Sequence, residues 1–128
     1  MVDENSRTRV AVIEDDDVAR KALGRLLKVG GFEPALFDCA ETFIASPSNR
    51  DWLCLIVDVQ LTGMSGIDLQ RRLRCEGSEV PVIIITANRA DIVRDRAQQA
   101  GCAAFLSKPF SGVTILSILD SIAQQSHP

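Results

Sequence analysis

The chain lacks a paired-cysteine motif, a basic tract and any apolar run long enough to cross a membrane, and each absence removes a class of function. Cys39, Cys54, Cys75 and Cys102 are widely scattered with no CxxC pair, and the single histidine, His127, stands too near the end to complete a metal site with them. They read as reduced thiols with no disulfide expected; Cys54 and Cys102 fall within apolar runs, where cysteine behaves as a small hydrophobe. The net charge is -3, with 14 basic and 17 acidic residues spread along the chain, so nothing draws it toward DNA, RNA or anionic lipid. Nucleic-acid binding by this segment is not expected. No apolar stretch nears the roughly 20 residues of a membrane span, and the polar opening Met1 to Arg9 lacks the apolar core of a secretion signal. The expectation is a soluble cytoplasmic domain without repeats or low-complexity tracts.

What is present is a core. Hydrophobic residues make up 46% of 128 positions, enough for one domain, which is placed at residues 9–124 between a polar arm at 1–8 and a tail at 125–128. Short apolar runs rich in β-branched residues alternate with stretches of helical spacing, the rhythm of repeated βα units. Arg9 to Ile13 reads as the first strand. A helix follows, carrying Val18, Ala22, Leu23, Leu26 and Leu27 on one face and stopped by Gly30-Gly31. Phe32 to Phe37 is a second strand, and a brief helix from Glu41 to Ala45 ends at Ser46-Pro47. Trp52 to Val57 is a third strand with almost no polar alternation, hence buried on both faces. The third helix starts near Gly66, buries Ile67, Leu69 and Leu73 and turns Arg71, Arg72 and Arg74 to water. Pro81 to Thr86 is a fourth strand, Asp91 to Ala100 a fourth helix and Ala103 to Leu106 a fifth strand. Ser111 caps a last helix bearing Val113, Ile115, Leu116, Ile118, Leu119 and Ile122. Five such units predict an α/β three-layer sandwich: a parallel sheet with helices on both faces.

In open parallel sheets the ligand crevice lies beyond the carboxyl ends of the strands. Those ends carry Glu14-Asp15-Asp16-Asp17, then Asp58, then Thr86, then Lys108-Pro109. Taken singly, each has an ordinary use: an acidic run is often a solvated helix start, a strand-end Asp or Thr a local hydrogen-bonder, and Lys-Pro a loop dipeptide. Together they point to chemistry. Converging carboxylates repel one another, and a hard cation relieves that cost through oxygen coordination, with Mg²⁺ the natural occupant. An ionised Asp58 can then attack phosphorus without a general base, while Lys108 balances charge on the transferring group.

The set resembles the receiver domains of response regulators, from Val10-Ala11-Val12-Ile13-Glu14-Asp15-Asp16 through Ile56-Val57-Asp58 to Leu106-Ser107-Lys108-Pro109-Phe110. The resemblance implies a flavodoxin-like sheet of strand order 2-1-3-4-5 with five helices, and a regulatory phosphoacceptor rather than an enzyme. It implies Asp58 as the phosphorylated residue, and Mg²⁺ held by Asp15, Asp58 and the Gln60 backbone carbonyl, with Glu14 acting through a metal-bound water. A register using Asp16 is the alternative. Thr86 would move to bind the phosphoryl group, and Phe105 would change rotamer to re-form the surface of the fourth helix, fifth strand and fifth helix; Phe105 reads equally as a core aromatic. The Lys108-Pro109 peptide is commonly cis in such domains, which would aim the lysine inward. A histidine kinase or phosphotransfer protein would supply the phosphoryl group, and the altered face would join two copies or dock on another protein. The chain would be a stand-alone receiver or the front of a longer regulator.

Two departures stand out. Thr62 occupies the place where receivers usually carry a proline in the loop after the phosphoacceptor, which loosens the segment presenting Gln60. Phe105 replaces the tyrosine of many chemotaxis-type receivers, so the nearest group is that of the transcriptional regulators. One rival is a haloacid-dehalogenase-type phosphatase, whose Asp-x-Asp-x-Thr motif Asp58-Val59-Gln60-Leu61-Thr62 nearly matches, but Gln60 cannot serve as its general acid and base. The other is a pseudo-receiver that binds partners without phosphorylation; Thr62 keeps it in view, whereas Glu14, Asp15, Asp58, Thr86 and Lys108 argue against it.

Overall fold

A strand with apolar side chains at every position is stable only if both of its faces are covered, and that requirement organises the molecule. The computed structural model describes residues 8–46, 52–87 and 91–125. The first seven residues of the expected arm, the Pro47 stop signal, and residues 126–128 of the tail with His127 lie outside the described residues. In chain order the elements are β1 (Arg9–Ile13), α1 (Asp17–Val29), β2 (Glu33–Phe37), α2 (Ala40–Ala45), β3 (Cys54–Asp58), α3 (Gly66–Cys75), β4 (Val82–Thr86), α4 (Asp91–Gln99), β5 (Ala104–Ser107) and α5 (Gly112–Gln125).

The sheet is parallel throughout, in the order β2-β1-β3-β4-β5, as the resemblance implied. Every residue of β3 and β4 is buried. Successive side chains point to opposite faces, so the strands feed two apolar layers. Val10, Val12, Ile56, Ile83 and Ile85 meet Leu23 and Leu27 of α1 and Ile115, Leu119 and Ile122 of α5. Ala11, Ile13, Leu55, Val57 and Ile84 meet Ala40 and Phe43 of α2, Ile67 and Leu69 of α3 and Ala97 of α4. Among the described residues no helix is long and apolar enough to cross a membrane.

The starts of α1, α3 and α5 follow capping chemistry, whereas Cys39 before α2 makes no side-chain cap. Asp16 accepts the Ala19 N–H at 2.8 Å, Ser65 accepts the Asp68 N–H at 3.1 Å, and Ser111 accepts the Val113 N–H at 3.2 Å. Three expectations are corrected. Val18 and Ala22 lie on the outer side of α1, Val18 being 73% exposed, because the helix turns Leu23, Gly24 and Leu27 to the sheet instead. Arg74 is only half-exposed, its guanidinium folding back to donate to the Ser78 carbonyl at 3.1 Å. The third strand continues through Asp58 rather than ending at Val57, so this acid belongs to the buried ladder, level with Ile85.

Helix α2 has only six residues, too few to stand alone, and aromatic packing holds it. Phe43 meets Phe37 edge to face at 5.3 Å between centroids and lies 5.9 Å from Trp52, which also packs against Phe37 at 6.3 Å and the Arg9 guanidinium at 4.2 Å.

Gly66 fixes where α3 begins. A methyl group there would collide with the Asp58 carbonyl oxygen and lie 2.8 Å from Val57 Cγ1, so the helix can approach the strand only without a side chain. Gly66→Ala should lower unfolding stability by about 2 kcal/mol in urea titrations; an unchanged midpoint would mean that the helix start yields freely. Gln70 is wholly buried on α3 with no hydrogen-bond partner for either amide atom among the described residues. An unpaired buried amide is costly, so Gln70→Met should raise stability by about 1 kcal/mol in the same titration, and a loss of that size would reveal a needed polar contact.

Candidate functional site

Parallel strands bring their carboxyl ends to one edge, and three sequence-distant acids meet there. Glu14 directly follows β1 and is fully buried; Asp58 ends β3 and is 5% exposed; Asp15 is at the surface. One carboxylate oxygen from each lies within 4.8 Å of the others. Lys108, just after β5, reaches into this group: its Nζ donates to Glu14 Oε1 and to Asp58 Oδ2, each at 2.8 Å. The Lys108 N–H donates to the Thr86 carbonyl at 2.8 Å, tying the lysine to the end of β4, and the Lys108-Pro109 peptide is cis. Gln60 enters through its backbone, its N–H donating to Asp58 Oδ1 at 2.8 Å.

The acidic run divides cleanly. Asp16 caps α1, and Asp17 holds Arg20 at 2.7 Å and Lys21 at 3.1 Å, so both are committed to the helix. Arg20 also donates to the Glu14 carbonyl at 2.9 Å, locking the turn between strand and helix. Glu14 and Asp15 are the pair that faces Asp58. Phe105 lies deeper along β5, opposite Ile84, in the apolar layer under α4, with the Arg94 guanidinium 5.5 Å from its ring. Thr86 is fully buried at the end of β4.

Burial and the neighbouring Asp58 push the Glu14 carboxyl up to about 7, against the pull of Lys108. Burial would raise Asp58 as well, but hydrogen bonding to Glu14, to Lys108 and from the Gln60 N–H brings it below the usual aspartate range. Lys108 remains an ammonium, since the two carboxylates outweigh the effect of its own burial. The two acids titrate as a coupled pair, with Glu14 drawn toward its neutral form and Asp58 toward the ionised form that can attack an electrophile. By contrast, burial pushes the Cys54 thiol up to about 12, which leaves it inert as a nucleophile.

The donor set suits a hard divalent cation. Glu14 Oε2 is buried without a hydrogen-bond partner among the described residues, and three carboxylates offer oxygen within one small volume. Sequence reasoning missed one residue beside this site. Glu41 on α2 accepts the Met64 N–H at 3.0 Å across 23 residues of chain, a contact with a backbone atom that no side-chain motif announces.

The sequence model of the response regulator receiver domain matches residues 10–120. The chain belongs to that family. This receiver domain is 30% identical over 123 residues to the transcriptional regulatory protein FixJ of Bradyrhizobium diazoefficiens, covering 96% of this chain and 60% of FixJ. Its structure superposes on that of FixJ-N with a TM-score of 0.84 at 28% identity, covering 100% of this chain and 99% of the other. On the response regulator StyR it gives 0.81 at 36% identity, covering 91% and 59%. The chain spans about half to three fifths of the length of the curated relatives it matches, among them FixJ proteins and nodulation protein W. Among these relatives the FixJ proteins are transcriptional regulatory proteins and TodT of Pseudomonas putida is a response regulator protein.

Above pH 7 an ionised Glu14 costs folding energy, and the cost fades as pH falls from about 7 toward its ordinary value of 4.5. Glu14→Gln should therefore raise the melting temperature of chelator-treated protein by about 3 °C at pH 8 and leave it nearly unchanged at pH 5. An equal shift at both pH values would refute the raised carboxyl.

Proposed function

We propose that this receiver domain is a phosphoryl-accepting switch in which a histidine kinase or phosphotransfer protein phosphorylates Asp58 with the help of Mg²⁺. The observation that carries this reading is the Lys108 ammonium held 2.8 Å from both Glu14 and Asp58, beside a surface carboxylate, at the end of a buried sheet. Asp15 and Asp58, with the Gln60 carbonyl, would hold the cation directly and Glu14 would do so through water. When bound, Mg²⁺ neutralises charge on the phosphoryl oxygens.

The protein's part is positioning and charge. The ionised Asp58 carboxylate attacks phosphorus; a P–O bond forms as the P–N bond to the donor histidine breaks, and the departing imidazole nitrogen keeps the electron pair and takes up a proton. Lys108 follows the negative charge from the free carboxylate to the phosphoryl oxygens. Thr86, at the end of the neighbouring strand, would turn its hydroxyl toward the new phosphoryl group. Phe105, below it on β5, would then change rotamer and alter the face made by α4, β5 and α5, for dimerisation or for binding an effector. Residues 9–124 form the functional unit in this reading, a cytoplasmic phosphoprotein domain that makes no DNA contact of its own, whether it stands alone or fronts a longer regulator.

Incubation with acetyl phosphate and Mg²⁺ should add one phosphoryl group to the intact mass, and Asp58→Asn should abolish the addition. Lys108→Ala should slow it by about 100-fold. Phosphorylation that survives Asp58→Asn would place the acceptor elsewhere, and none in the wild type would leave a binding module without this switch.

A further inference from the structure

The loop between β3 and α3 carries Gln60 and has no proline from Val59 to Ser65, and a side chain from another element restrains it. At its base, the Gln60 N–H binds Asp58 Oδ1, and the N–H groups of Leu61 and Gly66 both donate to the Val59 carbonyl at 3.2 Å. Toward its tip, among the described residues, the Thr62 and Gly63 amides donate no hydrogen bond. The Met64 N–H instead donates to Glu41 Oε2 on α2. Gly63 has φ +85°, and a Cβ there would sit 2.6 Å from the same oxygen, so the backbone turns tightly against this carboxylate. The Met64 N–H also holds Glu41 below the usual glutamate range. Helix α2 is in turn anchored by Phe43 against Phe37 and Trp52, which gives Glu41 a fixed base.

We propose that Glu41 is a positioning residue for the phosphorylation site: by gripping the Met64 amide it orders the loop that Thr62 leaves loose, and so places Gln60 for cation binding. This rests on the metal-dependent switch proposed above. It makes Glu41 and Thr62 a compensating pair, one side chain supplying from outside the loop the restraint that a proline ring supplies from within. Proline at position 62 would remove no hydrogen bond, because the Thr62 amide makes none among the described residues.

The test measures Mg²⁺ affinity by calorimetry, Met64 amide exchange by NMR, melting temperature, and phosphorylation rate against Mg²⁺ concentration for the full chain. Glu41→Ala should weaken Mg²⁺ binding about fivefold and speed Met64 exchange, with the phosphorylation rate recovering at saturating Mg²⁺. Glu41→Gln, which keeps an acceptor oxygen, should stay within about twofold of wild type. Thr62→Pro introduced into Glu41→Ala should restore most of the lost affinity without restoring the hydrogen bond. Unchanged Mg²⁺ affinity in Glu41→Ala despite faster Met64 exchange overturns the proposal, as does an equal loss in Glu41→Gln or a fall in affinity that only tracks melting temperature. If wild type binds Mg²⁺ yet accepts no phosphoryl group, the switch reading fails while the affinities still decide the role of Glu41. A wild type that binds no Mg²⁺ overturns both.

Discussion

One ammonium between two carboxylates is the constraint around which this domain is arranged. Glu14 is sealed from water and Asp58 nearly so, and two such acids cannot remain side by side unless a cation or a proton separates them. Lys108 provides the cation, contacting both, while the upward shift of Glu14 provides the option of the proton. Holding this arrangement requires three strand ends at one level, and the parallel ladders supply it: Ile13 pairs with Val57, Asp58 with Ile85, and Thr86 with Ser107. The burial that builds the core therefore also sharpens the electrostatics at its edge, because charges at the end of a dry sheet act through little water.

Much of this was legible in the chain. The runs Trp52–Val57 and Pro81–Thr86 show almost no polar alternation and so announced a doubly covered parallel sheet, and that topology told where to look for chemistry. The register of the acidic run stayed open in the chain, with Asp16 as an alternative; in the fold Glu14 and Asp15 stand at the mouth of β1 and Asp16 caps α1.

Other features were not legible, for reasons of geometry. Val18 and Ala22 share the apolar period of α1, but the helix is rotated so that Leu23, Gly24 and Leu27 face the sheet, with Gly24 allowing Leu36 of β2 to approach within 3.3 Å of where a side chain would begin. The apolar strip left outside joins Ala22, Leu26, Pro109, Phe110 and Gly112 around a groove of about 340 Å³ that reaches Lys108. Periodicity finds a stripe, not its orientation. Glu41 escaped notice because its partner is a main-chain amide, and an exposed glutamate in a helix's first turn looks like an ordinary dipole partner. Gln70 had no signal either, since a polar residue in α3 between Leu69 and the exposed Arg71 reads as solvated, whereas the helix buries it.

The tryptophan has a consequence of a practical kind. The chain has a single one, and it packs against Phe37 and the helix that carries Glu41. Its indole emission arises at this one site, and its near-ultraviolet dichroism is set in part by the Phe37 and Phe43 rings beside it. The molecule thus carries a built-in optical label on the seat of α2, free of overlapping signal from any second indole.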